Sequence, residues 1–329
     1  MYKFNKIILS RKGLDISTGG NYSPFEPSTG KYILLPVPGE EIGSYPGNGV
    51  AYEAIEIIPN YLTGIDAKNL KELVYNKSTH FGQATMNAFS RRYAHFDPWL
   101  GHCPWLDKES DHHLGAFGQV GVSQTILNDN KIGEGSLFLF FSGFKSLTVR
   151  EFDSIDISPE HLHRRGANFI YGWFKVGKVI EKYEDINNKL SEEDARELRT
   201  RHPHATEAYF KEHRRGYKHN TIYIADKYLD DSKEYPGCGY FSILSEKILL
   251  TATESAQEPG GWLPSRWKML PGFTPGTCHS YLADASKWYR SKDGSLVAQH
   301  DSYGQEFVFD GTEEFYRWFD DKLLPEMQK

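Results

Sequence analysis

The chain has 329 residues, a formal net charge of -6 at pH 7, and 39% hydrophobic and 14% aromatic residues. That length and apolar content suffice for one large domain or two ordinary ones around a buried core, and they exclude a low-complexity chain. The negative balance excludes a generic electrostatic coat over DNA but is compatible with a local basic stripe. The longest apolar runs, such as Leu137 to Phe141, fall far short of the roughly 20 residues of a membrane-spanning helix, and the start MYKFNKIILSRKG has no secretory apolar stretch, so a cytoplasmic address without membrane contact is expected. Cys103, Cys238 and Cys278 lie far apart with no CxxC spacing, which predicts reduced thiols rather than a disulfide framework or a structural zinc site.

In chain order, Ile7, Ile8 and Leu9 predict a short buried strand that opens into a Gly/Ser/Pro-rich loop from Gly13 to Pro27. KYILLPVPG (31–39) predicts a second strand, AYEAIEIIPNYL (51–62) a third, and AKNLKELVYN (67–76) a short helix. From His95 to Gly121 the chain is irregular and dense in His, Asp, Trp, Pro and Gly, the composition of a functional loop held on a scaffold. VGVSQTILNDN (120–130) reads as a helix closed by Asn, and GEGSLFLFFSGF (133–144) as a turn running into an aromatic strand. GANFIYGWFKVGKVIEKY (166–183) is the clearest strand of the chain, its alternation of apolar and polar side chains fitting an antiparallel strand buried on one face. Residues 189–216 form a charged helical insertion, with Ser191 as N-terminal cap three residues before Asp194. Strands are expected in TIYIADKYL (221–229) and GYFSILSEKILLTA (239–252), and an amphipathic C-terminal helix in TEEFYRWFDDKLLPEM (312–327) turns Phe315, Trp318 and Leu323 to the core. No internal repeat is present.

The expected fold class is therefore α+β, with a mixed or antiparallel sheet core, a helical insertion and a C-terminal helix. GEGSLFLFF (133–141) followed by FIYGWFKVGKVIE (169–181) resembles the small β-barrel of the PUA, ASCH and EVE group, with Ser136 where that group has the Asp of a Gly-Asp turn. The expected organisation is one large domain over 1–329, divisible into an N-terminal α/β part (1–125) and a PUA-like β-rich part (126–329).

Three stretches carry chemistry. In the barrel-like pair, Phe138, Phe140, Phe141, Phe144, Tyr171 and Trp173 offer faces for base stacking, each worth ~1–3 kcal/mol per base, against the competing reading that they are core. HFDPWLGHCPW (95–105) with DHHLGAFGQVG (111–121) gathers His95, Asp97, His102, Asp111, His112 and His113, groups that bind metals or move protons. The spacing matches no established zinc motif, so no metal or other cofactor is expected, and Asp97 stands as a carboxylate beside aromatics. SRKGLDISTGGNYSP (10–24) releases Arg11, Lys12 and Asp15 into a Gly-rich loop suited to a phosphate, although GxxxxGK[ST] is absent. The pairs Arg91-Arg92, Arg164-Arg165 and Arg214-Arg215, each beside an aromatic or histidine, are candidate DNA-backbone contacts.

The blocks ILSRKGLDISTGGNYSP, AHFDPWLG, GAFGQVGVSQTIL, GEGSLFLFFSGF, LTATESAQEPGGWLPSRWKMLPGF and YGQEFVF together resemble the nucleotide modification associated domain type three family over nearly the whole chain. The resemblance implies a link to modified bases in DNA, through gene neighbourhoods of phage and anti-phage modification systems, and a partner that is DNA carrying modified bases. The sharpest expected activity is a DNA glycosylase acting in phage defence, which flips a hypermodified base between aromatics and cleaves its N-glycosidic bond. Asp15 and Asp97 are then the catalytic candidates, and Arg11, Lys12, Gln119, Phe141, Phe144, Trp173 and Gln305 the substrate-binding ones. The alternatives are a non-catalytic reader of modified bases and an enzyme that makes a modified nucleotide.

Overall fold

The computed structural model describes residues 3–14, 21–41, 48–108, 112–148, 159–211, 219–253, 262–300 and 304–327. The strands are β1 (Ile7–Arg11), β2 (Ser23–Phe25), β3 (Val37–Glu41), β4 (Val50–Ala51), β5 (Arg92–His95), β6 (Trp99–Leu100), β7 (Gly115–Gln119), β8 (Leu137–Ser146), β9 (Ala167–Ile180), β10 (Thr221–Ala225), β11 (Cys238–Tyr240), β12 (Arg266–Lys268), β13 (Trp288–Arg290), β14 (Leu296–Gln299) and β15 (Glu306–Phe309). The helices are α1 (Leu70–Tyr75), α2 (Gln83–Arg91), α3 (Gly121–Asp129), α4 (Pro159–Arg164), α5 (Asp185–Lys189), α6 (Glu192–Arg201), α7 (Glu207–Lys211) and α8 (Glu313–Trp318). The fold is α+β, as the sequence predicts.

The main sheet runs β15-β1-β8-β9-β10-β7-β6, with β11 added to β9 and β2 to β8. It is mixed: β1 lies parallel to β8, whereas β8 with β9, β9 with β10 and β10 with β7 are antiparallel. LFLFFSGF and ANFIYGWF are buried on both faces, so the one-face alternation expected of 166–183 is corrected: it holds only towards the end of β9, where burial becomes intermittent. Phe117, Phe138, Phe140, Phe174 and Tyr223 pack ring against ring in the middle of this sheet. Two small antiparallel sheets, β3-β5-β4 and β12-β14-β13, flank it.

The sheet curls. In a flat sheet β1 and β7, four places apart in the order, would be separated by about 19 Å. Yet the Lys12 ammonium, just past β1, donates to the Gly118 carbonyl in β7 at 3.0 Å. Side chains rather than a strand ladder span the gap among the described residues, so the segment expected to form a small barrel supplies instead the central β8–β9 pair of a curled mixed sheet.

Several local predictions match. Ser191 accepts a hydrogen bond from the Asp194 amide at the start of α6, and the VGVSQTILND stretch is α3 with Asn130 at its C-cap. The C-terminal helix buries Phe315 and Leu323, while Trp318 stays half-buried. Others do not. Of AYEAIEIIPNYL only Ala51 belongs to a strand, and a single turn of 3-10 helix and isolated bridges follow it; of GYFSILSEKILLTA only Gly239 and Tyr240 belong to a strand. In both stretches the apolar side chains are satisfied by burial without a ladder, which periodicity does not report.

Because Phe138 is wholly buried among four other rings, Phe138→Ala is expected to cost about 3–5 kcal/mol of unfolding free energy, measured by chemical denaturation.

Candidate functional site

The curl brings the ends of β1, β5, β7 and β15 to one place, and Asp97 sits at its centre. Its carboxylate is inaccessible to solvent. One oxygen, Oδ1, accepts the Gly118 amide at 2.9 Å and lies 3.3 Å from His202 Nε2. The other, Oδ2, faces the Lys12 ammonium at 3.3 Å, His95 Nε2 at 3.9 Å and His204 Nε2 at 4.0 Å. Burial by itself would raise the Asp97 pKa. The Lys12 charge and the His202 and His204 rings outweigh it and hold the carboxyl well below the usual carboxylate range, so Asp97 is ionised.

The histidines come from the segment after α6 and from the end of β5. His204 Nδ1 sits 2.8 Å from Asn220 Oδ1, while the Asn220 amide donates to the His204 carbonyl at 3.0 Å. The second bond fixes which end of Asn220 is oxygen, so Nδ1 of His204 carries the proton and Nε2 presents a lone pair. That lone pair meets His95 Nε2 at 3.1 Å. His202 Nδ1 accepts the His204 amide at 3.2 Å, which leaves the His202 Nε2 proton facing Asp97. Burial pushes the His95 pKa down to about 4 and the His204 pKa well below its ordinary value, so both rings are neutral at pH 7. Gly118 makes this seat possible: a Cβ there would come within 2.1 Å of the His204 ring.

A second buried carboxylate, Glu306 at the start of β15, lies near enough to Lys12 to feel its charge. Its Oε1 accepts from Ser10 Oγ at 3.1 Å and from Gln119 Nε2 at 2.5 Å, while Oε2 is buried without a partner. Here burial outweighs Lys12 and the hydrogen bonds, and the neighbouring Asp97 charge adds to it, so the pKa is raised. Two carboxylates near one lysine are thus pushed in opposite directions.

Of the residues expected from sequence, Lys12, Asp97 and Gln119 come together here. Arg11 and Gln305 adjoin them, the Arg11 amide donating to the Gln305 carbonyl at 2.8 Å, and Ser123 Oγ donates to the Gln305 side chain at 3.0 Å. Asp15, Asp111, Arg214 and Arg215 lie outside the described residues. Phe138, Phe140, Phe141, Phe144 and Tyr171 are fully buried core rings, so in this conformation none offers a face to a base. Trp173 is also buried, but it lines a cleft of about 860 Å³ between Leu100–Gly101, Gly115 and Gly237–Tyr240, apart from Asp97. A smaller cleft of about 70 Å³, bounded by Gly39, Asn48, Tyr93, Pro203 and Tyr209, reaches the cluster at His95. Arg91 and Arg92 are exposed where α2 passes into β5, three residues before His95. Arg164 pairs with Glu160, and Arg165 donates to the Trp262 carbonyl.

His202, His204 and Glu306 are missing from the sequence-derived site. The HPH triplet closes a charged helix that reads as a solvated insertion, and the Gln-Glu pair entering β15 carries no specific signal. Nothing local tells that either folds against Asp97.

A sequence model described as nucleotide modification associated domain 3 matches residues 6–310. The chain belongs to that family. Membership supports an association with nucleotide modification, in line with the resemblance read from the motif blocks, and the match takes in every strand of the main sheet. No curated protein and no solved structure matches the chain. No helix among the described residues is long and apolar enough to cross a membrane.

His112 gives the fold a pH limit. It stacks on Trp99 at 3.8 Å, lies 3.5 Å from Glu197, and burial lowers its pKa from 6.5 to about 4. Its folded pKa is below its unfolded one, so the stability it contributes is present above pH 6.5 and is lost as pH falls towards 4. A loss of roughly 3 kcal/mol across that window is expected. Denaturation midpoints of wild type and His112→Gln between pH 7 and 4.5 check this: the variant should show a shallower decline.

Proposed function

We propose that this chain acts on modified nucleobases in DNA as an N-glycosidic bond hydrolase, with Asp97 and Glu306 as its two carboxylates. The observation that carries this reading is the presence of two buried carboxylates near Lys12, one held ionised and the other with its pKa raised, an asymmetry of the kind that glycoside hydrolysis uses. In this scheme Glu306 gives its proton to the departing base nitrogen as the C1′–N bond breaks. Asp97 stabilises the positive charge that develops on the sugar and orients the attacking water. The C1′–O bond forms, and the proton released by water returns to Glu306.

Gln119 and Gln305, beside Glu306, have the amide groups to read a base edge. A flipped nucleotide would approach where Lys12 and His95 reach the surface, their side chains 11% and 23% exposed. Arg91 and Arg92, exposed just before His95, would hold the flanking phosphates. Asp15 remains a second proposed acid of the same loop region. The core burial of Phe141 and Phe144 moves base recognition from ring stacking to these polar groups. The wide cleft beside Trp173 supports a second reading, in which the chain holds a modified base without cutting it.

Incubation with hypermodified phage DNA and with plain DNA, followed by alkali treatment to reveal abasic sites, tests the proposal. Cleavage restricted to modified DNA is expected, with Asp97→Asn and Glu306→Gln each losing at least ~100-fold in rate while retaining a gel shift. A gel shift without product in wild type would leave the reader; full activity in both variants would remove the carboxylate assignment.

A further inference from the structure

We infer that His95, Asp97 and His204 form a binding site for one divalent first-row transition-metal ion, a group that the motif spacing alone does not announce. His95 Nε2, His204 Nε2 and Asp97 Oδ2 lie within 4.8 Å of one another, at 3.1, 3.9 and 4.0 Å. The point equidistant from the three atoms is about 2.2 Å from each, which is the bond length of such an ion to imidazole nitrogen and carboxylate oxygen.

The surroundings prepare these atoms as ligands. A histidine ligand usually donates its other ring proton to an oxygen that fixes its tautomer, and Asn220 does this for His204. The Gly118 amide donates to Oδ1 of Asp97 and His202 Nε2 faces that oxygen at 3.3 Å, so Oδ2 is the oxygen turned towards the two imidazoles. Two imidazoles and one carboxylate, with no thiolate, suit zinc, iron or manganese rather than calcium, magnesium or copper(I). Three protein ligands leave coordination positions for water or substrate.

Lys12 gives the site its signature. Its ammonium stands 3.3 Å from the same Oδ2 and supplies the positive charge that an ion would bring. Metal and Lys12 therefore compete for one oxygen. The inference goes beyond the glycosidic reading and holds whichever reaction the site performs.

The test uses the full chain stripped with chelator, without DNA, titrated with zinc chloride by calorimetry and with cobalt(II) by its visible absorption. One ion per chain is expected. His95→Ala and His204→Ala should each weaken binding at least ~100-fold, and Asn220→Ala ~10–100-fold. Lys12→Met should tighten binding at least ~10-fold, a gain that neither misfolding nor adventitious surface binding produces. Binding of neither ion at tenfold molar excess, or affinity unchanged in His95→Ala and His204→Ala, would overturn the site. Unchanged or weaker binding in Lys12→Met would overturn the competition. Abasic-site formation does not enter any of these readouts, so the two proposals fail separately.

Discussion

The ion pair between Lys12 and Asp97 joins parts of the chain that the strand order keeps apart. Asp97 also accepts the amide of Gly118, and Lys12 donates to the carbonyl of the same residue, so one peptide unit of β7 is held from both sides. The bridge lies where the main sheet curls, where β15 comes near β7 through Glu306 and Gln119, and where the two histidines are seated. Taking both charges out of water is costly, and a pair of this kind contributes little net stability compared with an apolar replacement. What it supplies is position: each charge is tolerable only where the other is, which fixes β1 against β7 without a hydrogen-bonded ladder between them.

Burial alone does not decide what an acid does here. Asp97 and Glu306 are equally removed from solvent, yet one is surrounded by a cation, an amide and imidazoles, and the other by a hydroxyl and an amide with one oxygen left bare. The difference lies in the neighbours, and Lys12 is the neighbour they share. A change at Lys12 therefore acts on both acids at once, in contrast to a change at Ser10 or Gln119, which touches only Glu306.

The strands of the sheet's centre are written in runs of Phe, Leu, Ile and Val, and β1, β8 and β10 were legible from those runs, whereas β9 was legible as a strand but not as one buried on both faces. The cap at Ser191 and the helix at VGVSQTILND were legible for equally local reasons. Lys12, Asp97 and Gln119 were singled out by residue type and loop setting, and they do converge. The remaining half of the site was not legible, because His202, His204 and Glu306 acquire their meaning only through contacts over 100 or more positions of the chain. The ring stacking expected of Phe141 and Phe144 met the opposite difficulty: an aromatic in a strand looks the same whether it lines a mouth or fills an interior.

The bare peptide at position 118 works as a keyhole. Its missing side chain is the space into which the imidazole of His204 fits, so the charged helical segment that delivers this ring can dock on the sheet in one register only. A larger residue at position 118 would evict the ring at position 204, and a chain without that ring would be released from the need for glycine. The two positions, far apart in the chain, should drift together or not at all.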